Sequence, residues 1–482
     1  MTDGSTNKRA LIIGSSLAAL FTARVLSDHY DHITLIERDT LPQTPDHRAG
    51  VPQSQHAHGL LARGQQIIES HFPGIMSEMS EHGAAVGDVD DLCIVTPEGK
   101  LASTPAGEDG IFVSRYFLEW SIRERLKASH RVEIVDETQA TRLLASNDGT
   151  SIVGVETRTR GGETQIQQHF ADLVVDATGR HSKTPRWLTE LGYEAPPEET
   201  INSGVGYFSR FYKRPDHFPA DWQGVIINAR PPHTPYCGLI LPIEGDRWHV
   251  TLGNFAGQYP DTDWATSDEG FMAIAQELAD PSLYEALRIA EPITSVRAYR
   301  TPVNHFRHYE NLEQMPKNFL VVGDAICAFN PIYGQGMSTS AMGSLVLAEA
   351  LNDRRPGWER AFQQNLAKTV ATPWFIATSE DMRWSNVQLE GAVRNQWVGR
   401  IMRGYVSRLL RAARHDEQLA LAYTRLLNLL EKPSYLMRPS MMARVAVYML
   451  QEKLGLRHDD HELALSPMMI ASLRARTATP VR

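Results

Sequence analysis

The chain has 482 residues, 42% hydrophobic and 22% charged, which is typical of folded globular proteins and allows two or three domains. Its formal net charge of −9 argues against nucleic-acid binding, because phosphate binding requires a basic surface. Cys93, Cys237 and Cys327 are far apart, which argues against a disulfide framework or a zinc site and favours a reducing, cytoplasmic location. No apolar run is long enough to span a membrane. We therefore expect no metal, no nucleic-acid partner and no membrane span.

The first predicted element is a buried strand with the sequence RALIIG, at residues 9–14. A helix-length apolar segment follows, and then a second strand-like run, HITLIERD, at residues 32–39. The basic residues Lys8 and Arg9 before an apolar stretch are also typical of a signal peptide. The second strand decides against that interpretation, because strand, helix and strand in this order predict a β-α-β unit.

The turn between the first strand and the helix resembles a dinucleotide-binding turn. Gly14, Ser16 and Ala19 stand where such turns have glycines that permit a tight turn, a close approach to pyrophosphate and close helix packing. Only Ser16 departs from the pattern, since alanine is accepted at the third position, and its hydroxyl can donate to a phosphate beside the helix N-terminus. Glu37, followed by Arg38, ends the second strand and is placed to bind a ribose hydroxyl. Because a carboxylate repels a 2′-phosphate, FAD or NAD fits this position better than NADP. By itself the motif is equally compatible with a turn that binds no ligand.

Residues 202–257 alternate between apolar and polar positions, which predicts antiparallel strands and a hairpin at Glu244-Gly245-Asp246. A set of large side chains in this region either lines an apolar pocket or forms ordinary core. Its members are Tyr207, Phe211, Tyr236, Leu239, Leu241 and Trp248. From about residue 355 onward the pattern is helical.

The stretch NFLVVGDAICAFNPIYGQGMSTSAM, residues 318–342, reads as a buried strand, a Gly-Asp pair, a loop and a glycine turn that opens a helix. Backbone N–H groups of Gly336 and Met337 at the helix start would stabilise negative charge on a reduced flavin. The stretch resembles the FAD-contacting Gly-Asp segment of the group A flavoprotein monooxygenases, the family of p-hydroxybenzoate hydroxylase. That resemblance implies that Asp324 binds the ribityl and pyrophosphate region of FAD. The candidate cofactor residues here are Gly323, Asp324, Pro331, Gly334, Gly336 and Met337.

Three other segments are similar to the same family. The resemblance implies that Arg48, in HRAGVPQSQHAHGLLARG, reaches the cofactor and that Arg115, in VSRYFLEWSIRERL, meets the FAD phosphates. Taken alone, each arginine would be better explained by a surface salt bridge. Asp176 and Gly179, in ADLVVDATGRHS, are further candidate cofactor residues. The family commonly has Asp-Gly adjacent there, whereas this chain has Asp-Ala-Thr-Gly, which leaves the mode of NAD(P)H contact open.

The fold that the resemblance implies is α/β. A Rossmann-like FAD-binding domain of the glutathione-reductase and p-hydroxybenzoate-hydroxylase type carries an inserted antiparallel β-sheet substrate domain and a C-terminal helical region. We expect the FAD-binding domain at residues 1–75, 105–185 and 295–355, and the substrate domain at 76–104 and 186–294. The helical region is expected at 356–482.

The implied reaction is that of an FAD-dependent monooxygenase. NADPH or NADH visits transiently and reduces non-covalently bound FAD, and O2 then forms a flavin C4a-hydroperoxide that epoxidises or hydroxylates an electron-rich substrate. The forms PQSQHAHGLL and FNPIYGQGM are most similar to natural-product epoxidases and hydroxylases, so we expect an apolar small-molecule substrate. A monomer or a homodimer is expected.

No single side-chain acid or base is indispensable in this reaction, because the flavin carries the reactive oxygen. A phenol would need help to lose its proton, and His58, Tyr207, Tyr236 and His249 are weak candidates for that role. His58 is interpreted first as a hydrogen-bonded structural residue near the flavin.

Three alternatives stay open. A flavin-dependent halogenase should show Trp-x-Trp-x-Ile-Pro, and the nearest stretch, GLILPI, has neither tryptophan. A reductase of the geranylgeranyl type shares the fold and would turn over without O2. A flavin or lipid-chain carrier would have no activity.

Overall fold

The structure is a computed structural model that describes residues 7–88, 91–103, 107, 109–160, 165–255, 257, 259–301, 303–391, 396–456 and 462–478. Its strands are β1 (Arg9–Ile13), β2 (His32–Ile36), β3 (Ala85–Asp88), β4 (Leu92–Thr96), β5 (Gly99–Lys100), β6 (Asp109–Phe112), β7 (Val132–Val135), β8 (Thr138–Ala145), β9 (Ile152–Thr159), β10 (Ile166–Phe170), β11 (Leu173–Asp176), β12 (Glu198–Asn202), β13 (Val205–Lys213), β14 (Gly224–Ile227), β15 (Tyr236–Ile243), β16 (Arg247–Asn254), β17 (Glu291–Pro292), β18 (Arg297–Thr301), β19 (Asn304–Arg307), β20 (Phe319–Val321), β21 (Cys327–Ala328) and β22 (Gln388–Glu390). Its helices are α1 (Leu17–Leu26), α2 (Ala62–His71), α3 (Ile75–Glu81), α4 (Arg115–Lys127), α5 (Thr184–Glu190), α6 (Thr262–Ala265), α7 (Asp268–Gln276), α8 (Ser282–Leu287), α9 (Gln335–Asn352), α10 (Trp358–Asp381), α11 (Gln396–Ala413), α12 (Glu417–Leu427), α13 (Pro439–Lys453) and α14 (Pro467–Ala478).

A five-stranded parallel sheet in the order β20-β11-β1-β2-β7 forms the centre of the fold. Ile13, at the end of β1, pairs with Asp176 on one side and with Ile36 on the other. The carboxyl ends of the strands therefore meet at one edge, the place where ligands bind in open α/β sheets. The predicted α/β class, with a parallel sheet, antiparallel sheets and C-terminal helices, is confirmed.

Two glycines allow close approaches at the edge of this sheet, Gly14 to the segment after β11 and Gly323 to helix α1. Gly14 has a φ of +106°, and a Cβ atom there would be 2.7 Å from the backbone oxygen of Ala177. Gly323 has a φ of +62°, and a Cβ atom there would be 2.6 Å from Cβ of Ala18. Both positions combine a conformation that suits glycine with the absence of space for a side chain.

A second, larger sheet has the order β17-β13-β16-β15-β14-β4-β5, with β18 paired to β13. Strands β15 and β16 form the predicted hairpin, in which Ile243 pairs with Arg247. Side chains on one face of this sheet pack with α7 and α8 into a core that includes Tyr212, Trp248 and Phe271. Since neighbouring side chains on a strand point to opposite faces, the alternate residues Cys237, Leu239 and Leu241 face the other way. Those residues line a cavity described below.

Smaller sheets complete the β structure. They have the orders β10-β9-β8, β21-β19-β12-β22 and β3-β6. Helix α10 packs along α9, and α11, α12 and α13 share a core that includes Leu409, Leu419 and Leu426. Among the described residues, no helix combines the length and the apolar character that a membrane crossing requires. The division into three domains stays a prediction.

Gly14→Ala should lower the free energy of unfolding more than Gly149→Ala. Both glycines have a positive φ, +106° and +70°, but no atom lies within 4 Å of a Cβ placed at Gly149. Gly149→Ala should therefore cost only backbone strain, roughly 1 kcal/mol, whereas Gly14→Ala should cost about 1–3 kcal/mol more because of overpacking. Urea denaturation followed by tryptophan fluorescence measures both, and equal losses would contradict the close-packing explanation.

Candidate active site

A cleft of about 260 Å³, here called the edge cleft, lies over the carboxyl ends of β1, β11 and β20. It continues into a side cavity of about 110 Å³, which is lined by the end of β2. The two share six lining residues: Ser16, Arg38, Gly50, Val51, Ala177 and Thr178. Together they form an elongated space along the sheet edge.

Two helices begin at this space. Helix α1 follows Ser16, and α9 follows Gly334, which has a φ of +63°. Neither helix has a side-chain cap, so the N–H groups of its first turn are available to a ligand. Gly336 and Met337 of α9 line the edge cleft. The positive end of each helix dipole therefore favours negative charge in the cleft.

Polar groups without protein partners also line the edge cleft. Among the described residues, no hydrogen bond is made to the half-buried carboxylate of Asp324. The Arg115 guanidinium donates from Nη2 to Ser16 Oγ at 2.9 Å, but its buried Nε has no partner. Burial lowers the pKa of Arg115, while Glu119 and Asp324 oppose that shift. Unsatisfied polar groups in a concave site indicate a polar ligand.

Arg48 is the centre of a buried ion cluster beside the side cavity. Its Nη1 lies 3.0 Å from Glu37 Oε2 and 3.1 Å from Asp39 Oδ2, and its Nε lies 2.9 Å from Glu119 Oε1. Burial opposes the ionisation of Glu37, but Arg48 and Ser15 hold the pKa of its carboxyl below the usual value. Glu37 lines the side cavity with Gly14, and Arg38 reaches both spaces. The ion pairs of Arg48 are therefore buried and are not surface salt bridges.

The placement of Asp176 differs from the sequence expectation. Its Oδ1 accepts hydrogen bonds from Thr178, and its Oδ2 accepts them from the hydroxyls of Ser182 and Thr184. The carboxylate is fully buried and is absent from the linings of the edge cleft and the side cavity. Asp176 therefore shapes the loop after β11 rather than facing a ligand, whereas Gly179 of that loop lines the edge cleft.

An apolar cavity of about 280 Å³ lies next to the edge cleft. Strands β14 and β15 form one wall, and helices α10, α11 and α12 form another. Representative lining residues are Ile226, Leu239, Leu241, Phe375, Val406 and Leu426. The apolar cavity and the edge cleft have three lining residues in common: His58, Pro331 and Gly334. These three residues are here called the boundary residues.

His58 has one ring nitrogen occupied by the backbone. Its Nδ1 lies 2.8 Å from the carbonyl oxygen of His56, which can only accept. Nδ1 therefore carries the hydrogen, and Nε2 carries a lone pair in the neutral ring. Burial, assisted by Arg115, holds the pKa of His58 well below its usual value.

The other weak catalytic candidates lie outside the apolar cavity. Tyr207 donates its hydroxyl hydrogen to Asn330 Oδ1, so it supports the loop before α9. His249 contacts the Gln55 carbonyl oxygen at 3.1 Å and packs against Phe211, with ring centroids 4.2 Å apart and ring planes tilted by 36°. Burial lowers the pKa of His249 to about 3.

Tyr236 and Trp248 lie on the face of the large sheet that packs with α7 and α8. Of the two alternatives that the sequence left open, Tyr236 and Trp248 therefore belong to the core and do not line the apolar cavity, and strand alternation is the reason. Of the six proposed pocket residues, Leu239 and Leu241 line the apolar cavity. Tyr236 does not reach the cavity as an acid or base.

Sequence analysis missed Asp381, the last residue of α10. Its Oδ1 accepts a hydrogen bond from the Tyr333 hydroxyl at 2.7 Å, and its Oδ2 accepts one from the amide of Asn304. Burial raises the pKa of Asp381 to about 6, against the hydrogen bonds that favour its charge. Because Tyr333 lies between Pro331 and Gly334, Asp381 anchors the loop that separates the two spaces. No local pattern marks this role, since the partners are 48 and 77 residues away in the chain.

The edge cleft, the side cavity and the apolar cavity adjoin one another and together form the candidate active site. No family model matches the chain. The chain is 33% identical over 441 residues to Protein Rv3254 of Mycobacterium tuberculosis, a match that covers 89% of this chain and 91% of that protein. The chain belongs to the family of Protein Rv3254. A weaker match, 23% identical over 367 residues, is to kynurenine 3-monooxygenase of Salinispora tropica and covers 71% of this chain and 72% of that enzyme.

Solved structures share the fold at low sequence identity. A flavoprotein/dehydrogenase from Cytophaga hutchinsonii has a TM-score of 0.63 and 14% identity, and the match covers 92% of this chain and all of that one. The triple mutant of the flavin-dependent brominase Bmp2 has a TM-score of 0.59 and 16% identity, and the match covers 92% of this chain and 99% of the brominase. PqsL of Pseudomonas aeruginosa has a TM-score of 0.56 and 18% identity, and the match covers 78% of this chain and 97% of PqsL. The chain thus has the fold that the resemblance to the group A flavoprotein monooxygenases implies.

The stability of the protein should depend on pH through Asp381. The folded state holds the Asp381 proton up to a pKa of about 6, whereas the unfolded state releases it near the ordinary value of 3.8. The stabilisation that protonated Asp381 gives the folded state is therefore fully present below pH 4. It is lost as the pH rises to 6, which lowers the free energy of unfolding by up to about 3 kcal/mol.

Urea denaturation of the wild type and of Asp381→Asn between pH 4 and 7 measures this contribution. The difference in unfolding free energy, wild type minus variant, should fall with rising pH. Glu380→Gln changes the neighbouring carboxylate and should show no such slope relative to the wild type. A constant difference for Asp381→Asn would contradict the raised pKa.

Proposed function

We propose that this protein is an FAD-dependent monooxygenase that uses NAD(P)H and O2 to hydroxylate or epoxidise an apolar, electron-rich substrate. One observation carries the proposal: the edge cleft meets the apolar cavity at the boundary residues, beside the uncapped start of α9. A cofactor in the first space and a substrate in the second would have their reactive parts at that boundary.

The residues around the edge cleft fit FAD. The start of α1 and the Arg115 guanidinium offer donors for a pyrophosphate, and the orphaned Nε of Arg115 is consistent with a missing anionic partner. The Ser16 hydroxyl, which the sequence predicted as a donor to phosphate, donates instead to Glu119 Oε2 at 3.1 Å. Glu37 and Arg38, at the side cavity, would hold the adenosine end. Asp324 lines the edge cleft, and within the part of the chain that the structure describes its carboxylate has no hydrogen-bond partner, so it would accept from hydroxyl groups of the cofactor. Gly336 and Met337 would face the flavin ring with their N–H groups.

Bound FAD, reduced by NAD(P)H, would supply activated oxygen derived from O2. The chain's own residues then orient the substrate and exclude water, which keeps the activated oxygen from being lost as hydrogen peroxide. The walls formed by β15 and by α10–α12 suit both tasks, because they are largely apolar. The sequence shows a single dinucleotide fingerprint, which supports transient binding of NAD(P)H.

Halogenation is the second candidate, because solved structures with this fold include flavin-dependent halogenases such as Bmp2, CmlS and CndH. The chain lacks the Trp-x-Trp-x-Ile-Pro stretch expected of that class. Oxygen transfer to the substrate is therefore the preferred reaction, and halide incorporation is an outcome that the test below separates.

Asp324→Ala should weaken FAD binding by roughly ten- to a hundredfold. The variant loses a charge-assisted hydrogen bond to the cofactor, about 1.5–3 kcal/mol. FAD fluorescence quenching measures the affinity for the wild type, the variant and the control Asp353→Ala. Asp353 lies at the opposite end of α9 and is largely exposed, so its replacement should leave the affinity unchanged. An unchanged affinity in folded Asp324→Ala would assign Asp324 a structural role.

Turnover under 18O2 should place one heavy oxygen atom in the product. The reaction is run with FAD, NADPH or NADH, and bromide, with 2-naphthol as the arene and styrene as the alkene. Mass spectrometry distinguishes a hydroxylated or epoxidised product from a brominated one. Consumption of NAD(P)H without label in the product and without hydrogen peroxide would indicate a reductase, and a brominated product would indicate a halogenase.

A further inference from the structure

Strand β10 is an open edge of the fold. It pairs with β9 in a regular antiparallel register from Ile166 to Phe170, and in the described part of the chain no strand pairs with its other side. Its two large apolar side chains are exposed, Ile166 by 68% and Phe170 by 59%. The strand has no lysine, arginine, proline or acidic residue. It therefore lacks the residues that normally keep an edge strand from pairing with another chain.

The opposite edge of the same three-stranded sheet is protected. Strand β8 pairs with β9 through two shifts in register, one between Ala140 and Arg142 and one between Leu144 and Ala145. Its Arg142 is largely exposed and forms an ion pair with Glu156 at 2.7 Å. Bulges and charges of this kind make pairing with a further strand unfavourable. Because β10 has neither, the two edges of one sheet differ in their capacity to pair.

The hydrogen bonds to β9 show which backbone groups of β10 point outward. At one end, the N–H of Thr159 donates to the carbonyl oxygen of Gln165 at 3.1 Å. At the other end, the N–H of Ala171 donates to that of Val153 at 3.0 Å. Because the bonding direction alternates along an antiparallel strand, the odd-numbered residues of β10 face β9. Three residues direct their N–H and C=O groups away from the sheet: Ile166, Gln168 and Phe170.

The one titratable side chain of β10 contacts its own sheet. His169 Nε2 lies 3.1 Å from Thr157 Oγ1 of β9. Burial lowers the pKa of the His169 ring, against the opposing effect of Glu133. The outward row of side chains on β10 is therefore apolar at both ends, polar at Gln168 and free of charge.

This row is symmetric about Gln168. If a second copy of β10 runs antiparallel with Gln168 opposite its own counterpart, Ile166 lies opposite Phe170 of the other copy. Each opposite pair exchanges two backbone hydrogen bonds, so every outward N–H and C=O of the strand gains a partner. Pairing a β-branched with an aromatic side chain is favourable across strands. A shift of two residues, the smallest that keeps these groups in pairs, would place Ile166 opposite Gln168 instead.

We propose that β10 is a dimerisation edge, at which a second copy of this chain pairs antiparallel across a two-fold axis at Gln168. The contact joins two three-stranded sheets and uses the open edge of both copies, so association ends at the dimer. Residues of β10 are absent from the linings of the edge cleft, the side cavity and the apolar cavity. Since the interface is small, we expect a dissociation constant on the order of micromolar.

Analytical ultracentrifugation of the full chain from about 1 μM to about 100 μM tests the association. The mass of the wild type should rise from that of one chain, 54.0 kDa, towards twice that value. Gln168→Pro removes an outward N–H, and Phe170→Lys adds a charge to the edge, while both keep the bonds to β9. Each should weaken association roughly tenfold or more. Met468→Lys is the matched control, because Met468 is an exposed apolar residue on α14, and it should associate like the wild type.

Single cysteines test the register without disrupting the strand. Cys93, Cys237 and Cys327 are buried, so an added surface cysteine is the reactive one. Across the axis, the two Cα atoms at position 168 would be about 5.5 Å apart, which allows a disulfide. Gln168→Cys should therefore form a linked dimer on oxidation. The two copies of Ile166→Cys would be roughly 14 Å apart and should not link, whereas Ile166→Cys mixed with Phe170→Cys should.

The proposal is overturned if the wild type stays monomeric at about 100 μM. It is also overturned if the dimer persists undiminished in both Gln168→Pro and Phe170→Lys, if Met468→Lys dissociates it as well, or if Ile166→Cys links as readily as Gln168→Cys. Circular dichroism checks that each variant is folded. If Gln168→Pro fails to fold, Phe170→Lys and the cysteine variants decide the question.

Discussion

The buried charges around Arg48 hold the candidate site together. The guanidinium joins Glu37 at the end of β2, Asp39 just beyond it and Glu119 of α4. Asp39 Oδ2 also accepts a hydrogen bond from the N–H of Gly50 at 2.6 Å, which fixes the position of the segment after β2 over the sheet. Removing one partner from such a cluster leaves an uncompensated buried charge, which typically costs about 3–5 kcal/mol. The cluster is therefore a strong constraint on where that segment lies.

This segment connects the parallel sheet to the large antiparallel sheet. His56 Nδ1 lies 2.7 Å from Ser209 Oγ of β13, and the N–H of Ala57 donates to Thr251 Oγ1 of β16 at 3.0 Å. His58 follows directly and separates the edge cleft from the apolar cavity. On the opposite side, Asp381 holds Tyr333 and so places the loop before α9. The boundary between the two spaces is thus positioned from both sides by buried carboxylates.

The parts of the site that could be predicted from the sequence are those made by short stretches of chain. The turn at Gly14 and Ser16 and the Gly323-Asp324 pair carry their conformation and chemistry within a few residues, so pattern and resemblance located them at the sheet edge. Their contact with FAD stays a proposal. Asp381 could not be predicted, because its partners come from β19 and the loop before α9, and nothing in the residues around it marks a buried carboxylate.

The sequence by itself determined the β-α-β start, the glycine-rich start of α9, the hairpin of β15 and β16 and the resemblance to the flavoprotein monooxygenases. These features depend on local periodicity and on residues with special backbone conformations. Only the tertiary structure decided which face of β15 lines the apolar cavity, that the Asp176 carboxylate bonds residues of the loop after β11, and that His58 lies between the two spaces. The physical reason is that burial and hydrogen-bond partners are set by packing between distant segments, which a one-dimensional pattern does not specify.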